Sequence, residues 1–255
     1  MAILEVREIV KDFGGLRALD KLDFEVEQGA IFGIIGPNGS GKTTMLNIIA
    51  GLLKPTAGNI LYKGKTIIGL QPNQIAAIGI ERTFQLISIF SNLTAEENII
   101  NGMHLKAKND FWGSIFNTRG YRREAVKLSK KAEEIIAFLG LEGREGMSAG
   151  SLSPGEQRAL ELGIALAGEP ELLLLDEPAA GLNPEECTRL IKEIQSIQKN
   201  GITSIVVEHN MKVVMGLCTR IIVIDYGKKV VVGSPEDIVH NNKVISIYLG
   251  REEYA

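Results

Sequence analysis

The chain has 255 residues, 45% of them hydrophobic, and a net charge of -3 with a sequence pI of about 5.8, which is ample apolar material for one large or two small domains. So small and negative a charge, with no Lys/Arg block beyond a few residues, argues against capture of nucleic acid or anionic lipid as the main activity. Cys187 and Cys218 stand far apart outside any C-x-x-C spacing, acids sit where a signal peptide needs an apolar run, and no window reaches the roughly 18 to 20 apolar residues of a membrane span, so the expected setting is reducing and intracellular, with any membrane association made through another protein.

In chain order, Ile3–Val6, Leu22–Val26 and Ile60–Tyr62 alternate apolar with polar residues and predict a half-exposed antiparallel piece. Ile31–Ile35 is the first apolar run of a strand buried on both faces. It leads into IIGPNGSGKTTM, in which Gly36, Gly41, Lys42 and Thr43 fit G-x-x-x-x-G-K-[ST] between a strand and a helical run, the context that pattern requires. Glycines let the backbone N–H groups of Gly36, Pro37, Asn38, Gly39, Ser40 and Gly41, proline excepted, turn toward a phosphate. The helix beginning near Lys42 adds its N-terminal dipole, Lys42 adds a full charge, and Thr43, followed by Thr44, is placed to offer a hydroxyl to Mg2+.

A further strand is predicted over Ile80–Phe84, after which strand signals vanish and residues 86–150 take on helical periodicity. Ala125, Leu128, Ala132, Ile135 and Leu139 recur at spacings of three and four until Gly140. Before them, KNDFWGSIFNTRGYRRE reads as a loop; its Arg119, Arg122 and Arg123 are most simply a solvated face, and residues 109–123 carry no assignable chemistry. Ser153, Pro154 and Glu156 then read as N-cap, first-turn proline and back-reaching acid of an apolar helix. Local physics gives a good cap; bare N–H groups beside Gly155 would also suit a phosphate.

The run ELLLLDEPAAGLNP drives four leucines into two adjacent carboxylates, Asp176 and Glu177. At the end of a buried strand such charge needs a positive partner, and the lysine-bearing loop supplies one. Asp176 then suits a Mg2+ that bridges phosphates, and Glu177 suits the polarising of an attacking water. Capping of a following helix fits less well, because Pro178 follows at once and no helical period begins there. Asn183-Pro184-Glu185-Glu186 opens a helix predicted to run to about Lys199, with Gly201 closing it. Ser204–Val207 and Ile221–Ile224 complete the buried strands, with His209 just past the first of them.

The phosphate loop, the L-S-P-G-E-Q stretch and the double acid, in that order, make the chain resemble the ATP-binding cassette (ABC) ATPases, whose signature is L-S-G-G-Q. Pro154 and Glu156 depart from that signature, the second placing an acid near a phosphate site. The resemblance implies an α/β fold, a P-loop NTPase (RecA-like) core with an N-terminal antiparallel β piece and an inserted helical subdomain, the core over roughly 1–85 and 160–255 and the helical part over roughly 86–159. It implies ATP and Mg2+ as ligands. It assigns Gln85 to sensing Mg2+ and water, His209 to the γ-phosphate, Phe13 in KDFGGLRAL to stacking on adenine, and Ser153 and Gly155 to the nucleotide held by a second chain, with cross-subunit contact by Asn183.

FGGLRAL, GIERTFQ, LLLLDEPAAGLNP, EHNMKVVMGLC and IYLG together resemble the LivG-type ATP-binding subunits of branched-chain amino-acid importers. That branch implies two membrane permease subunits, a second ATP-binding subunit arranged head to tail, an external amino-acid-binding protein, and a place on the cytoplasmic face of the membrane. Subunits serving urea-type amides or lipopolysaccharide share much of this vocabulary. A soluble regulatory ATPase of the same fold would carry tandem cassettes or a coiled-coil insertion, and a GTPase would carry N-K-x-D, where Asn242-Lys243-Val244-Ile245 is the nearest approach and fails.

Overall fold

The computed structural model of the protein describes residues 1–83, 89–103 and 119–252. It divides into two compact units, one formed by Met1–Arg82 with Glu171–Ala255 and the other by Thr83–Pro170.

The first unit holds two sheets. Strands β1 (Ala2–Phe13), β2 (Leu16–Glu27), β4 (Ala57–Tyr62) and β5 (Lys65–Thr66) form an antiparallel sheet in the order β2-β1-β4-β5. The first two are each 12 residues long, well beyond the Ile3–Val6 and Leu22–Val26 cores of alternation, because the hairpin bends through register shifts and Glu8 takes φ +45°. The second sheet has six strands, β10-β9-β3-β8-β7-β6, comprising β3 (Ile31–Ile35), β6 (Ile80–Arg82), β7 (Leu172–Asp176), β8 (Thr203–Val207), β9 (Arg220–Asp225) and β10 (Lys228–Gly233). Strands β6, β7, β8, β3 and β9 run parallel and β10 returns antiparallel at the edge.

Period-two alternation sets the core. Ile34, Leu174, Ile205, Val207, Ile222 and Ile224 join Met45, Leu46 and Ile49 of helix α1 (Lys42–Ile49) and Leu4, Val6 and Leu22 of the antiparallel sheet in one buried cluster. Phe24 and Phe32 stack between the two sheets with ring centroids 5.3 Å apart. The alternate set, Leu173, Leu175, Val206, Ile221 and Val223, is buried too, so these strands are apolar on both faces. Helices α2 (Pro72–Ala77), α6 (Pro184–Lys199), α7 (Met211–Leu217), α8 (Pro235–Val239) and α9 (Asn242–Glu252) complete the unit. Helix α6 has the predicted bounds, with Asn183 accepting from the backbone of Glu185 and Glu186.

Among the described residues the second unit holds helices α3 (Ala95–Gly102), α4 (Arg119–Phe138) and α5 (Pro154–Ala167) with a short 3-10 turn at Ala149–Ser151. The boundary expected near residue 159 falls inside α5; the compact unit runs on through Pro170 and keeps that helix whole. Helix α4 also begins earlier than its apolar stripe, so Arg119, Arg122 and Arg123 lie in a helix rather than a loop. Arg, Lys and Glu are strong helix formers, and a helix nucleated on the stripe propagates through them despite Gly120. Arg123 is exposed, as a solvated face requires. Residues 104–118, which include 109–118 of the 109–123 segment without assignable chemistry, lie outside the described residues.

Candidate functional site

Parallel order places the carboxyl ends of β3, β8 and β7 side by side, with β8 between the other two. Open α/β sheets bind ligands beyond such ends. Three loops emerge there: 36–41 after β3, Glu177 onward after β7, and Glu208–Asn210 after β8.

The loop after β3 is held by close backbone packing. A Cβ on Gly36, whose φ is +153°, would lie 2.0 Å from the carbonyl oxygen of Ile224, and one on Gly41 (φ +105°) would lie 2.7 Å from that of Ala18. Gly227 in the β9–β10 turn donates its N–H to the Ser40 carbonyl, and its own carbonyl accepts from Asp20 N–H, lacing the loop to two strands. Pro37 is half-buried, Asn38 and Gly39 are exposed, and Ser40 is buried with a hydroxyl that has no hydrogen-bond partner among the described residues. Gly41 supplies no side-chain cap to α1, and no acid lies in its first turn. By contrast, Thr94, Ser153, Asn183, Asn210 and Ser234 each cap their helix. The N–H groups at the start of α1, with Thr43 and Thr44 half-buried in that turn, are therefore left for an anion.

Lys42 is 6% exposed and its Nζ donates to the carbonyls of Gly36 (2.8 Å) and Pro37 (2.9 Å). Burial pulls its pKa below the ordinary lysine value, against the opposing pull of Glu177 and Asp176. Asp176, the last residue of β7, is fully buried. Its Oδ2 accepts from Nη2 of Arg82 at 2.9 Å, and the same guanidinium donates through Nη1 to Asn47 Oδ1 of α1 at 2.6 Å. Its Oδ1 has no hydrogen-bond partner among the described residues. Burial pushes the Asp176 carboxyl above its ordinary value, opposed by Arg82 and Lys42 and aided by the Glu177 charge.

Glu177 adopts φ +49°, an uncommon conformation for a non-glycine residue that turns the chain sharply at the strand end. Its N–H donates to the Val207 carbonyl of β8 at 2.9 Å, and its Oε1 lies 3.7 Å from Nδ1 of the exposed His209. Between them sits Glu208, 1% exposed, whose Oε1 accepts from Ala179 N–H (2.8 Å) and whose Oε2 accepts from the N–H groups of His209 (3.0 Å) and Asn210 (3.1 Å). One buried carboxylate thus fixes the loops carrying Glu177 and His209 against each other.

Phe13 lies at the tip of the β1–β2 hairpin, 45% exposed, with the Lys11 ammonium 4.9 Å from its ring centroid. Gln85 and Phe84 lie outside the described residues, and β6 ends at Arg82.

In the second unit, Ser153 is exposed and Gly155 half-buried at the start of α5. Ser153 Oγ accepts from Glu156 N–H, and Glu156 Oε2 accepts from Ser153 N–H at 2.8 Å. Arg144 Nε donates to Glu156 Oε1 at 2.8 Å. That guanidinium, with the Ser153 N–H, pulls the Glu156 carboxyl down to about 2. The acid that departs from the signature is thus locally neutralised.

Arg82, Glu208, Asn47 and Arg144 were not read from the sequence as site residues. The signal for the first two was present: a charged residue at the end of an apolar strand, as with Asp176, needs a partner. Among the described residues no three His, Cys, Asp or Glu side chains cluster as metal ligands.

The family model described as ABC transporter matches residues 19–180. The chain is 38% identical over 249 residues to the Escherichia coli K12 high-affinity branched-chain amino acid transport ATP-binding protein LivG, covering 97% of this chain and 98% of that protein. It is 34% identical over 255 residues to the probable branched-chain amino acid transport ATP-binding protein LivG of Archaeoglobus fulgidus, covering 99% and 97%. Among solved structures, the ADP conformation of an ATP-binding cassette of an ABC transporter superposes with a TM-score of 0.86 at 31% identity, covering 98% of this chain and 99% of that one. A dimeric post-hydrolysis cassette bound to ADP and Pi superposes with a TM-score of 0.76 at 26% identity, covering 91% and 98%. The match across the phosphate loop, the signature and the double acid, together with this near-complete coverage, establishes that the chain belongs to the ABC transporter family as one of its ATPase cassettes.

Proposed function

We propose that the chain binds ATP with Mg2+ at the sheet edge formed by residues 36–44, Asp176, Glu177 and His209, and that hydrolysis there powers import of branched-chain amino acids through membrane permease subunits. The single observation that carries the site is Asp176: a fully buried carboxylate with one oxygen on Arg82 and the other without a hydrogen-bond partner among the described residues, beside the loop that holds Lys42. A buried lone pair of that kind is costly unless a ligand meets it. The uncapped start of α1, and glycines where a Cβ would strike backbone, fit a phosphate chain in the same way.

Mg2+ held there would supply positive charge to offset that developing on the phosphate oxygens. Thr43 Oγ1 and Asp176 Oδ1 are the described atoms suited to hold it, with Gln85 joining them by family likeness. Lys42 is placed to turn from the Gly36 and Pro37 carbonyls to phosphate oxygens, while the backbone of Pro37, Asn38, Gly39, Ser40, Gly41 and Thr44 surrounds them. Phe13, on an exposed hairpin tip, offers its ring face to adenine. Glu177 orients water for in-line attack and accepts its proton as the bond to the ADP oxygen breaks; His209, beside it, contacts the transferred group.

Ser153 and Gly155 of a second ATP-binding subunit, a copy or a related chain, close over the terminal phosphate. The dimeric cassette with ADP and Pi supports this arrangement. The branched-chain amino-acid reading, and with it the cytoplasmic face of the membrane and an external solute-binding protein, is supported by the near full-length likeness to LivG proteins.

The test of the site is Glu177→Gln. ATP binding, measured with a fluorescent analogue, should persist while hydrolysis falls at least about tenfold; near-normal turnover would refute the role given to Glu177. For the solute, the chain reconstituted with the permease that co-purifies with it should hydrolyse ATP faster when a leucine-loaded binding protein is added. Stimulation only by an unrelated solute would overturn the branched-chain reading.

A further inference from the structure

The Arg82–Asp176 pair is more than a neutralised buried charge. A guanidinium that serves packing alone would satisfy both oxygens of its carboxylate, since a buried ion pair repays its desolvation only when the remaining lone pairs are met. Here one oxygen is held and the other has no hydrogen-bond partner among the described residues. Arg82 is itself held from the far side, by Asn47 of the helix that follows the phosphate loop, and the pair is buried, with side-chain exposures of 9% and 0%. Both anchors fix the planar fork, so the carboxylate has little freedom to rotate and exchange its oxygens.

We propose that Arg82 is a positioning residue that sets the divalent-cation preference of the site, by committing Oδ2 of Asp176 so that the carboxylate presents a single oxygen to an ion or its water shell. This rests on Asp176 serving the ion at all, as proposed above. Mg2+ demands compact octahedral geometry and is content with one oxygen from a carboxylate, whereas Ca2+ collects six to eight oxygens and commonly takes carboxylates bidentate. Blocking one oxygen therefore disfavours Ca2+ more than Mg2+. A lysine at position 82 would bring the charge without the fork that engages Asn47 and Asp176 together.

The experiment measures equilibrium binding rather than turnover. Affinity for the non-hydrolysable analogue mant-AMPPNP is titrated with MgCl2 and with CaCl2, and the Mg/Ca affinity ratio is compared among variants whose folding is checked by circular dichroism. In Arg82→Met both oxygens are released, and the ratio is expected to fall at least about fivefold, chiefly through stronger Ca2+-dependent binding. Asn47→Ala loosens the fork while leaving the buried charge in place, and should move the ratio the same way by a smaller factor. It carries the test should Arg82→Met not fold. A folded Arg82→Met, or in its absence Asn47→Ala, with the parental ratio overturns the proposal. Asp176→Ala separates the two readings: it should abolish the cation dependence of binding, and if that dependence persists at parental strength, the assignment of Asp176 fails independently of Arg82.

Discussion

At the scale of single residues, the structure shows how an acid is accommodated at the capped start of α5. Glu156 completes the capping box of α5 and is paired with Arg144, whose side chain is 45% exposed. Gln could fill the same position in the box, so what Glu156→Gln removes is the charge interaction with Arg144 and the helix N-terminus, about 0.5 to 1 kcal/mol. The sign follows from the pKa. A carboxyl lowered from 4.5 to about 2 stabilises the fold above pH 4.5, and the contribution drains away as the pH falls toward 2. Urea unfolding should therefore find Glu156→Gln less stable than the parent at pH 7, with the gap narrowing between pH 4.5 and 3. A gap constant with pH would show that the pair contributes nothing through its charge. Arg144→Met has a different consequence: it leaves Glu156 charged and uncompensated near the incoming phosphate, so ATP-dependent pairing of Glu177→Gln cassettes should weaken several-fold and recover when Glu156→Gln is added.

At the scale of elements, what was legible in the sequence was what depends on neighbours along the chain. Runs such as Leu172–Leu175 and Ser204–Val207 announce doubly buried strands, and Ser153-Pro154-Gly155-Glu156 and Asn183-Pro184-Glu185-Glu186 announce capped helices, because each signal spans only a few residues. For Arg82 and Glu208 the sequence signals only that a charge at a strand end needs a partner; the partners themselves are not legible, because those of Arg82 lie 35 and 94 residues away and Glu208 joins Ala179 across 29. The return strand β10 was missed as well; Lys228–Gly233 is only half-buried at a sheet edge and shows no strong alternation.

Glycines illustrate the same division between local and distant causes. Gly102 ends α3 where a Cβ would lie 2.4 Å from the Ile164 carbonyl oxygen of α5, so the two helices are in backbone contact. Gly102→Ala is expected to destabilise the protein by about 2 kcal/mol, because packed helices must separate to admit the methyl group. Gly146→Ala, where an added carbon meets nothing within 4 Å, should stay within about 0.5 kcal/mol of the parent. Equal effects in chemical denaturation would contradict the close helix contact. In the first unit, Gly36→Ala faces both a positive φ and a carbonyl 2.0 Å from the new carbon, and should cost about 3 kcal/mol or more together with nucleotide binding.

For the molecule as a whole, the count of parts sets the stoichiometry. The chain carries one phosphate loop after β3 and one signature helix start at Ser153, which belong to different compact units. If a complete catalytic site takes its loop from one polypeptide and its helix tip from another, two polypeptides make two sites and a lone one makes none. The rate then follows the population of pairs. Well below the dissociation constant of the ATP-bound pair, hydrolysis per milligram should rise in proportion to protein concentration, and above it the specific rate should level off. Ser153→Ala with Gly155→Glu, mixed with an excess of Glu177→Gln chains, sharpens the test. Neither variant alone turns over normally, yet a mixed pair holds one composite site with the intact loop of the first and the intact signature of the second, so part of the activity should return. A specific rate independent of dilution over a hundredfold range would mean that each chain cleaves ATP unaided, and the roles given to Ser153 and Gly155 would have to be abandoned.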